Sequence, residues 1–204
     1  MRFRSISAVI AGSCLAVGVV VAAQTQETKA PEKKAPEKKM EMPKPGPEVK
    51  KLGYFVGSWK TEADIKENAM GMPAGKMTET AKCEWFHGGF SVVCHSSSSG
   101  AMGNMHALGI LGYSGEEKKY TYYGVDSSGH SEMAMGTNDG NTWTYTADEK
   151  MGDKTLHGRY TITEVSPTSY TFKYETSEDG QTWNGVMEGK STKTLSKAMP
   201  AEKK

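Results

Sequence analysis

The chain has 204 residues, of which 25 are Lys or Arg and 24 are Asp or Glu, so its formal net charge is only +1. This balance, together with the lack of a basic face that interleaves aromatic side chains, argues against nucleic acid as a partner. Once the two terminal segments described below are set aside, the remaining length suits one domain with its own core.

The first 23 residues have the layout of a secretory signal peptide. A basic start is followed by an apolar run from Ile6 to Val21, and Val21-Ala22-Ala23 supplies small residues before Gln24. The apolar run is short for a membrane span. We therefore expect export to the periplasm or the extracellular space, with no transmembrane span after cleavage. An uncleaved N-terminal anchor is the alternative.

Residues 24–50 are expected to form a disordered linker rich in Lys, Glu and Pro. The motif Ala30–Lys34 is repeated at once as Ala35–Lys39, and such a composition is extended and solvated. Residues 197–204 repeat the same chemistry and are expected to be a disordered tail. The folded domain should therefore occupy residues 51–196.

The domain begins with an alternating strand. Trp59, Thr61, Ala63 and Ile65 fall on one face, while charged side chains fill the other. Successive strand side chains point to opposite faces, so this pattern predicts a half-buried strand with Trp59 as its first large buried residue.

A Gly-Gly pair predicts the first hairpin and its register. If the turn is centred on Gly88-Gly89, Trp85 faces Val92 and Cys83 faces Cys94. Opposed residues of an antiparallel pair lie roughly 4.5–5.5 Å apart, which is within disulfide range. In an exported chain the pair favours a disulfide over two reduced, packed thiols.

The rest of the chain is typical of a meander of short strands joined by turn sequences such as Asp139-Gly140 and Asp179-Gly180. No run has a convincing helical period. After the strand at Trp59, strands are predicted at 76–86, 90–97, 102–113, 118–125, 130–137, 141–147, 155–163, 168–176 and 183–195. Roughly ten antiparallel strands with short links indicate an all-β, up-and-down barrel, which removes its own edges.

Several motifs resemble a known family. Gly57-Ser58-Trp59 resembles the Gly-x-Trp motif of lipocalin-like barrels. The motifs Leu111-Gly112-Tyr113, Tyr123–Asp126 and Gly136–Gly140 resemble the bacterial domain of unknown function 1579 family, and the hairpin at Gly88-Gly89-Phe90 fits the second hairpin of that family. The resemblance implies a calycin-type barrel, similar to lipocalins and fatty-acid-binding proteins, with no agreed biochemical role.

Haem is not expected. Nitrobindin-type haem barrels, which are distantly similar, use a histidine on a late strand, and the predicted strand 183–195 has none. None of the five histidines has a spacing that specifies zinc. The preferred interpretation of the sequence therefore includes no cofactor and no metal ion.

The alternation places many aromatic side chains inside the barrel. Small barrels either fill themselves with side chains or hold one small ligand, and the sequence leaves both possibilities open. We expect an amphipathic or apolar small molecule as ligand, and the resemblance to lipocalins implies that Trp59 closes the barrel floor. The candidate residues are Trp59, Glu79, Trp85, Tyr122, Tyr145, Tyr160 and Tyr174, and Trp183 is also predicted to face inward.

Glu79 is the one acidic residue that the alternation places inward. A buried carboxylate is costly unless it is paired, so Glu79 could meet a ligand, act as an acid or base, or be paired structurally. No nucleophile elbow, phosphate loop or triad order is present. We expect a binding protein rather than an enzyme, with no catalytic residue assigned, although an enzyme using Glu79 or a structural envelope protein remains an alternative.

Grouped methionines and histidines raise a second alternative, which is periplasmic copper binding. Thioethers and imidazoles suit Cu(I), while ordinary packing by methionine is the simpler explanation. The residues of this alternative are Met102, Met105, His106, His130, Met133 and Met135. Ligand identity and oligomeric state do not follow from the sequence.

Overall fold

The computed structural model describes residues 42–68, 71–101, 103–151 and 153–194. The predicted signal peptide, most of the predicted linker, the predicted tail and Met102 lie outside these residues. None of the described helices is both long and apolar enough to cross a membrane.

Ten antiparallel strands form one closed barrel in which each strand pairs with its neighbours in sequence and β1 pairs with β10. This confirms the predicted all-β up-and-down fold. The strands are β1 Gly57–Ile65, β2 Gly75–Trp85, β3 Val92–Gly100, β4 Gly103–Ser114, β5 Lys119–Asp126, β6 Ser131–Asp139, β7 Thr142–Met151, β8 Lys154–Ser166, β9 Ser169–Ser177 and β10 Asn184–Thr194.

The β2–β3 hairpin has the predicted register. Gly88 and Gly89 adopt positive φ angles of 89° and 73°, a region that glycine enters at little cost. Cys83 pairs directly with Cys94 across the ladder, and the two form a disulfide with their Cα atoms 4.0 Å apart. The predicted disulfide is therefore confirmed.

The segment before β1 is ordered, contrary to the expectation from its composition. Pro47–Lys51 forms helix α1, and Leu52–Phe55 continues as a 3₁₀ turn. Val49, Leu52 and Phe55 are buried. The polar composition of residues 47–50 predicts a disordered linker, but a few apolar side chains suffice to anchor a short segment against a barrel.

This segment covers one end of the barrel, which we call the floor. The indole Nε1 of Trp59 donates a hydrogen bond to the carbonyl of Phe55 at 2.7 Å. Phe55 packs edge-on against Trp143, with ring centroids 5.1 Å apart, and Trp59 lies 4.9 Å from Tyr170. The floor is therefore a continuous aromatic layer.

Two hydroxyl groups tie the same segment to distant strands. Tyr54 donates to the carbonyls of Ser166 and Ser169, which flank the β8–β9 turn, at 3.0 and 2.9 Å. Tyr120, on β5, donates to Oε2 of Glu48 at 2.6 Å. These hydrogen bonds fix the covering segment to strands on opposite sides of the floor.

Trp59→Phe should lower the free energy of unfolding by roughly 2–4 kcal/mol, because it removes buried volume and leaves the Phe55 carbonyl without its donor. Denaturant unfolding followed by circular dichroism measures the change. Trp183→Phe is the matched control, since Trp183 is only half-buried and stacks beneath the guanidinium of Arg159 at 3.9 Å. It should cost about 1 kcal/mol or less. Equal losses in the two variants would contradict the role given to the floor.

Candidate functional site

The inner face of the barrel is less completely buried at the end opposite the floor. Inner-face residues near the floor, including Val92, Tyr120 and Trp143, are buried. Towards the other end Ile65, Leu156 and Thr176 are also buried, but many inner-face residues are only half-buried, so their accessible surface borders space inside the barrel. We call this half the cup, lined by Met77, Glu79, Ser96, Met105, Ala107, Tyr122, Glu132, Ala147, Glu149, Tyr160, Tyr174 and Met187.

Tyrosine rings form much of the wall of the cup. Tyr160 stacks on Phe172 with ring centroids 5.4 Å apart and lies 6.4 Å from Tyr174. Tyr122 lies 6.5 Å from Tyr145. Burial raises the pKa of Tyr122 to about 12, with the nearby carboxylates of Glu132 and Glu79 adding to the shift. The hydroxyl groups therefore stay protonated and can donate hydrogen bonds at neutral pH.

Glycines behind Tyr122 let its ring lie close to the wall. A Cβ atom at Gly109 would lie 3.0 Å from the ring, and one at Gly124 would lie 2.8 Å from the hydroxyl oxygen. Any larger residue at either position would displace the ring toward the barrel axis. The ring therefore occupies the wall and leaves the space of the cup free.

Tyr145 lies beneath the cup rather than in it. Its side chain is 4% exposed, and its hydroxyl has no hydrogen-bond partner among the described residues. A buried hydroxyl without a partner costs roughly 1–3 kcal/mol. Tyr145 therefore lies at the boundary between floor and cup. A molecule in the cup would reach the Tyr145 hydroxyl only if the Tyr145 ring moved.

Glu79 is the deepest carboxylate of the cup. Burial raises its pKa, while a hydrogen bond with the side chain of Ser96 opposes that shift. Its charge in turn contributes to the raised pKa values of Tyr122 and Tyr160. A carboxylate in this position suits a hydrogen-bond donor or a cation as partner.

More acidic groups lie at the rim. Burial raises the pKa of Glu132, His130 opposes this, and Glu149 and Asp126 add to it. The hydroxyl of Tyr174 lies 3.5 Å from Oε1 of Glu149, a long hydrogen bond. In the described part of the inner face above the floor, the one lysine or arginine is Lys154 at the last rung, which pairs with Glu178. The cup is therefore acidic.

The barrel wall has a gap between β6 and β7. The ladder joins residues 135–139 of β6 to 142–146 of β7 and then stops. Beyond that point residues 131–134 still pair with β5, and residues 147–151 still pair with β8. If the β6–β7 register continued, Glu132 would face Glu149 directly. This interruption of the ladder lies at the rim of the cup.

The structure brings together four of the predicted ligand-binding residues: Glu79, Tyr122, Tyr160 and Tyr174. Trp59 lies in the floor, as expected. Trp85 was expected inside, but it ends β2 at the level of the covering segment, is 39% exposed and packs against Gly53. Trp183 was also expected inside, and its contact with Arg159 places it on the outer side.

The residues of the copper alternative do not converge. Met105 lies on the inner face and pairs with Ser98, whereas His106 points outward and contacts Oγ of Ser97 through Nδ1 at 2.9 Å. Met133 also points outward and is 66% exposed. Met135 follows the same outward alternation, and His130 lies at the rim of the cup. Nothing in the described structure favours a copper site.

Two clefts lie on the outer wall instead. One, of about 630 Å³, is lined mainly by outward residues of β1, β2, β8, β9 and β10, and the other, of about 490 Å³, extends from Lys60 to His106. The larger cleft is lined by threonines and by lysines and carboxylates of mixed sign, without convergent partners. The cup is the better candidate, because its polar groups converge.

Sequence reasoning missed the rim residues Glu132 and Glu149, as well as the convergence of His130 with them. His130 and Glu132 are two residues apart and so share a face of the same strand end. That spacing could have indicated that the two side chains lie close together. Glu149 comes from the next strand, and its position required the β6–β7 register.

A family comparison agrees with the sequence resemblance. The model of the family described as "protein of unknown function (DUF1579)" matches residues 44–193. The chain belongs to this family. No protein with a curated description matches the sequence. Because the family is described as one of unknown function, membership does not assign an activity to this DUF1579 protein.

Solved structures resemble the DUF1579 barrel at low sequence identity. Rv2717c from M. tuberculosis is 13% identical, with a TM-score of 0.52, and the match covers 74% of this chain and 99% of that chain. The S-type phycobiliprotein lyase CPES from Guillardia theta is 12% identical, with a TM-score of 0.45 and coverage of 72% and 93%. A de novo designed fluorescence-activating beta barrel is 11% identical, with a TM-score of 0.41 and coverage of 70% and 96%. The first likeness shows the fold, and the other two scores are too low to support an inference.

Glu79→Gln should flatten part of the pH dependence of stability. Because the folded-state pKa of Glu79 is raised above 4.5, the unfolded chain loses this proton first as pH rises, and stability falls. Each unit of pKa shift corresponds to about 1.4 kcal/mol. The variant should gain stability relative to wild type between pH 4 and pH 7, as measured by denaturant unfolding.

Glu84→Gln is the control for this variant, because Glu84 lies on the outer side of the same strand and forms an exposed ion pair with Lys82. It should leave the slope of stability against pH unchanged. If Glu79→Gln instead lost stability at pH 7 relative to pH 4, the carboxylate would be stabilised by a partner and not penalised by burial.

Proposed function

We propose that the protein is an exported binding protein whose cup holds one small amphipathic molecule with a neutral or cationic polar end. The observation that carries the proposal is the inner face of the cup, which is half-buried, rich in tyrosine and acidic. Ligand pockets combine apolar and aromatic walls with a few convergent polar groups. The cup has this composition, whereas the opposite half of the barrel is filled by side chains.

The charge of the cup selects among amphipathic molecules. Glu79, Glu132 and Glu149 line it, and the one described cation at its rim, Lys154, is engaged by Glu178. An anionic headgroup would meet uncompensated negative charge, while an amine could pair with a carboxylate and lie over a tyrosine ring. Amines and neutral amphipaths are therefore favoured over fatty-acid anions.

Export is part of the same proposal. The disulfide between Cys83 and Cys94 is of the kind that persists in oxidising compartments. It supports the exported location that the N-terminal sequence predicts. A carrier or receptor for a small molecule outside the cytoplasm is the function that the cup and the disulfide together support best.

The charge preference can be measured by displacement of the neutral dye Nile red. Dodecylamine should displace the dye at a concentration at least roughly tenfold lower than dodecanoate, because only the amine finds an opposite charge in the cup. Glu79→Gln should weaken dodecylamine binding roughly tenfold, as expected for the loss of a hydrogen bond to a charged group. The control Glu84→Gln should not change it.

Equal displacement by the amine and the carboxylate would refute the charge selection while leaving the cup as a binding site. Failure of Nile red and both detergents to bind would count against the binding function as a whole. A preference for dodecanoate would refute the charge selection outright.

A second test blocks the cup sterically. Ala147 is on the inner face of β7, and its neighbour Thr146 is exposed on the outer face of the same strand. Ala147→Phe should abolish Nile red binding because the ring occupies the cup, whereas Thr146→Phe should bind as wild type does. Circular dichroism and the unfolding midpoint check that both variants fold. Binding that survives Ala147→Phe but is lost in Thr146→Phe would move the site to the outer wall.

A further inference from the structure

Three potential metal ligands converge at the gap in the barrel wall. One ligand atom from each of His130, Glu132 and Glu149 lies within 4.8 Å of the other two. Ligands stand roughly 2.0–2.2 Å from a zinc ion, so pairs of ligand atoms are about 3–4 Å apart. Small side-chain rotations would bring the three groups to these distances.

The backbone of His130 is fixed by its neighbouring turn. Oδ1 of Asp126 accepts hydrogen bonds from the backbone N–H of Ser128 at 2.8 Å and of His130 at 3.2 Å. The N–H of Asp126 donates to the carbonyl of His130 at 3.0 Å. The turn thus holds His130 at the end of β6, directly before the strand that carries Glu132.

Apart from His130, the two carboxylates have no cationic partner within the described residues. The ion pairs of Lys and Arg in that part of the chain lie elsewhere, and the side chain of Glu132 accepts no hydrogen bond there. Like charges that face each other across a strand pair are destabilising. The β6–β7 ladder ends at the Met135–Thr146 rung, three rungs before the one where Glu132 and Glu149 would be opposed. Two half-buried carboxylates, an imidazole and an interrupted ladder therefore meet at one place.

We propose that His130, Glu132 and Glu149 bind one divalent transition-metal ion of the Zn²⁺ type, which bridges β6 and β7 at the rim of the cup. An imidazole with two carboxylates is a donor set that suits such ions better than the all-oxygen sets of Ca²⁺ and Mg²⁺. Three protein ligands leave a coordination position free for water or for a ligand donor atom, as in zinc sites that are not purely structural.

The metal site does not require an occupied cup. Its residues lie on the rim, and Glu79 and Ala147, which carry the tests of the cup, are not among its ligands. Loss of metal binding and loss of dye binding can therefore be observed separately.

Isothermal titration calorimetry of the tag-free protein with zinc chloride tests the site. Wild type should bind one Zn²⁺ per chain, and Glu132→Gln, Glu149→Gln and His130→Ala should each weaken binding at least roughly tenfold, the loss seen even when a group that only orients a metal ligand is removed. His87→Ala and Glu116→Gln are controls on exposed turns at the floor end and should bind as wild type does.

Amide hydrogen exchange gives a second readout. Zn²⁺ should slow exchange along residues 131–134 and 147–150 in wild type, because the ion joins the two strand ends, and should not do so in Glu149→Gln. Circular dichroism without metal establishes that each variant is folded. Absence of zinc binding in wild type, or binding that survives all three substitutions, would overturn the proposal. Tighter binding of Ca²⁺ than of Zn²⁺ would overturn the assigned ion class.

Discussion

The hydrogen bond from the Trp59 indole to the Phe55 carbonyl joins the covering segment to the first strand, and the asymmetry of the barrel depends on that junction. Because the covering segment contributes Leu52 and Phe55 to the core, the lower half of the barrel can be filled without large side chains from every strand. The upper half receives no such cover from the described residues. Much of its inner face is only half-buried, and a site can form there.

The two halves of the barrel also differ in how their polar and charged groups are paired. At the floor, polar groups are paired: Tyr120 donates to Glu48, and the indole of Trp143 donates to Glu164 at 2.7 Å. In the cup, burial raises the pKa values of Glu79 and Glu132, so their charged forms cost stability at neutral pH. Binding a cation offsets the cost of burying these charged carboxylates. The bound amine and the bound metal ion proposed for this end of the barrel would both be stabilised in this way.

The fold was largely predictable from the sequence because strand alternation and turn chemistry are local signals. The position of the turn placed Cys83 opposite Cys94, because a turn centred on Gly88-Gly89 fixes the register of every residue pair in that hairpin. The alternation of side chains predicted wrongly at the ends of strands. Trp85 is at an inward position of β2 by alternation, but the covering segment already occupies that end of the barrel. The order of residues 47–50, predicted as linker, was missed because the segment is fixed by Tyr54 and Tyr120 contacts that join residues distant in the sequence.

The candidate site was predictable only in part for the same reason. Glu79, Tyr122, Tyr160 and Tyr174 follow from alternation within single strands, whereas the meeting of Glu132 with Glu149 depends on how β6 and β7 separate. A continuous ladder would have placed two like charges on one rung of a small barrel. Even where the ladder is interrupted, one carboxylate oxygen of Glu132 and one of Glu149 lie within 4.8 Å of each other, so a cation bound between them would relieve their repulsion.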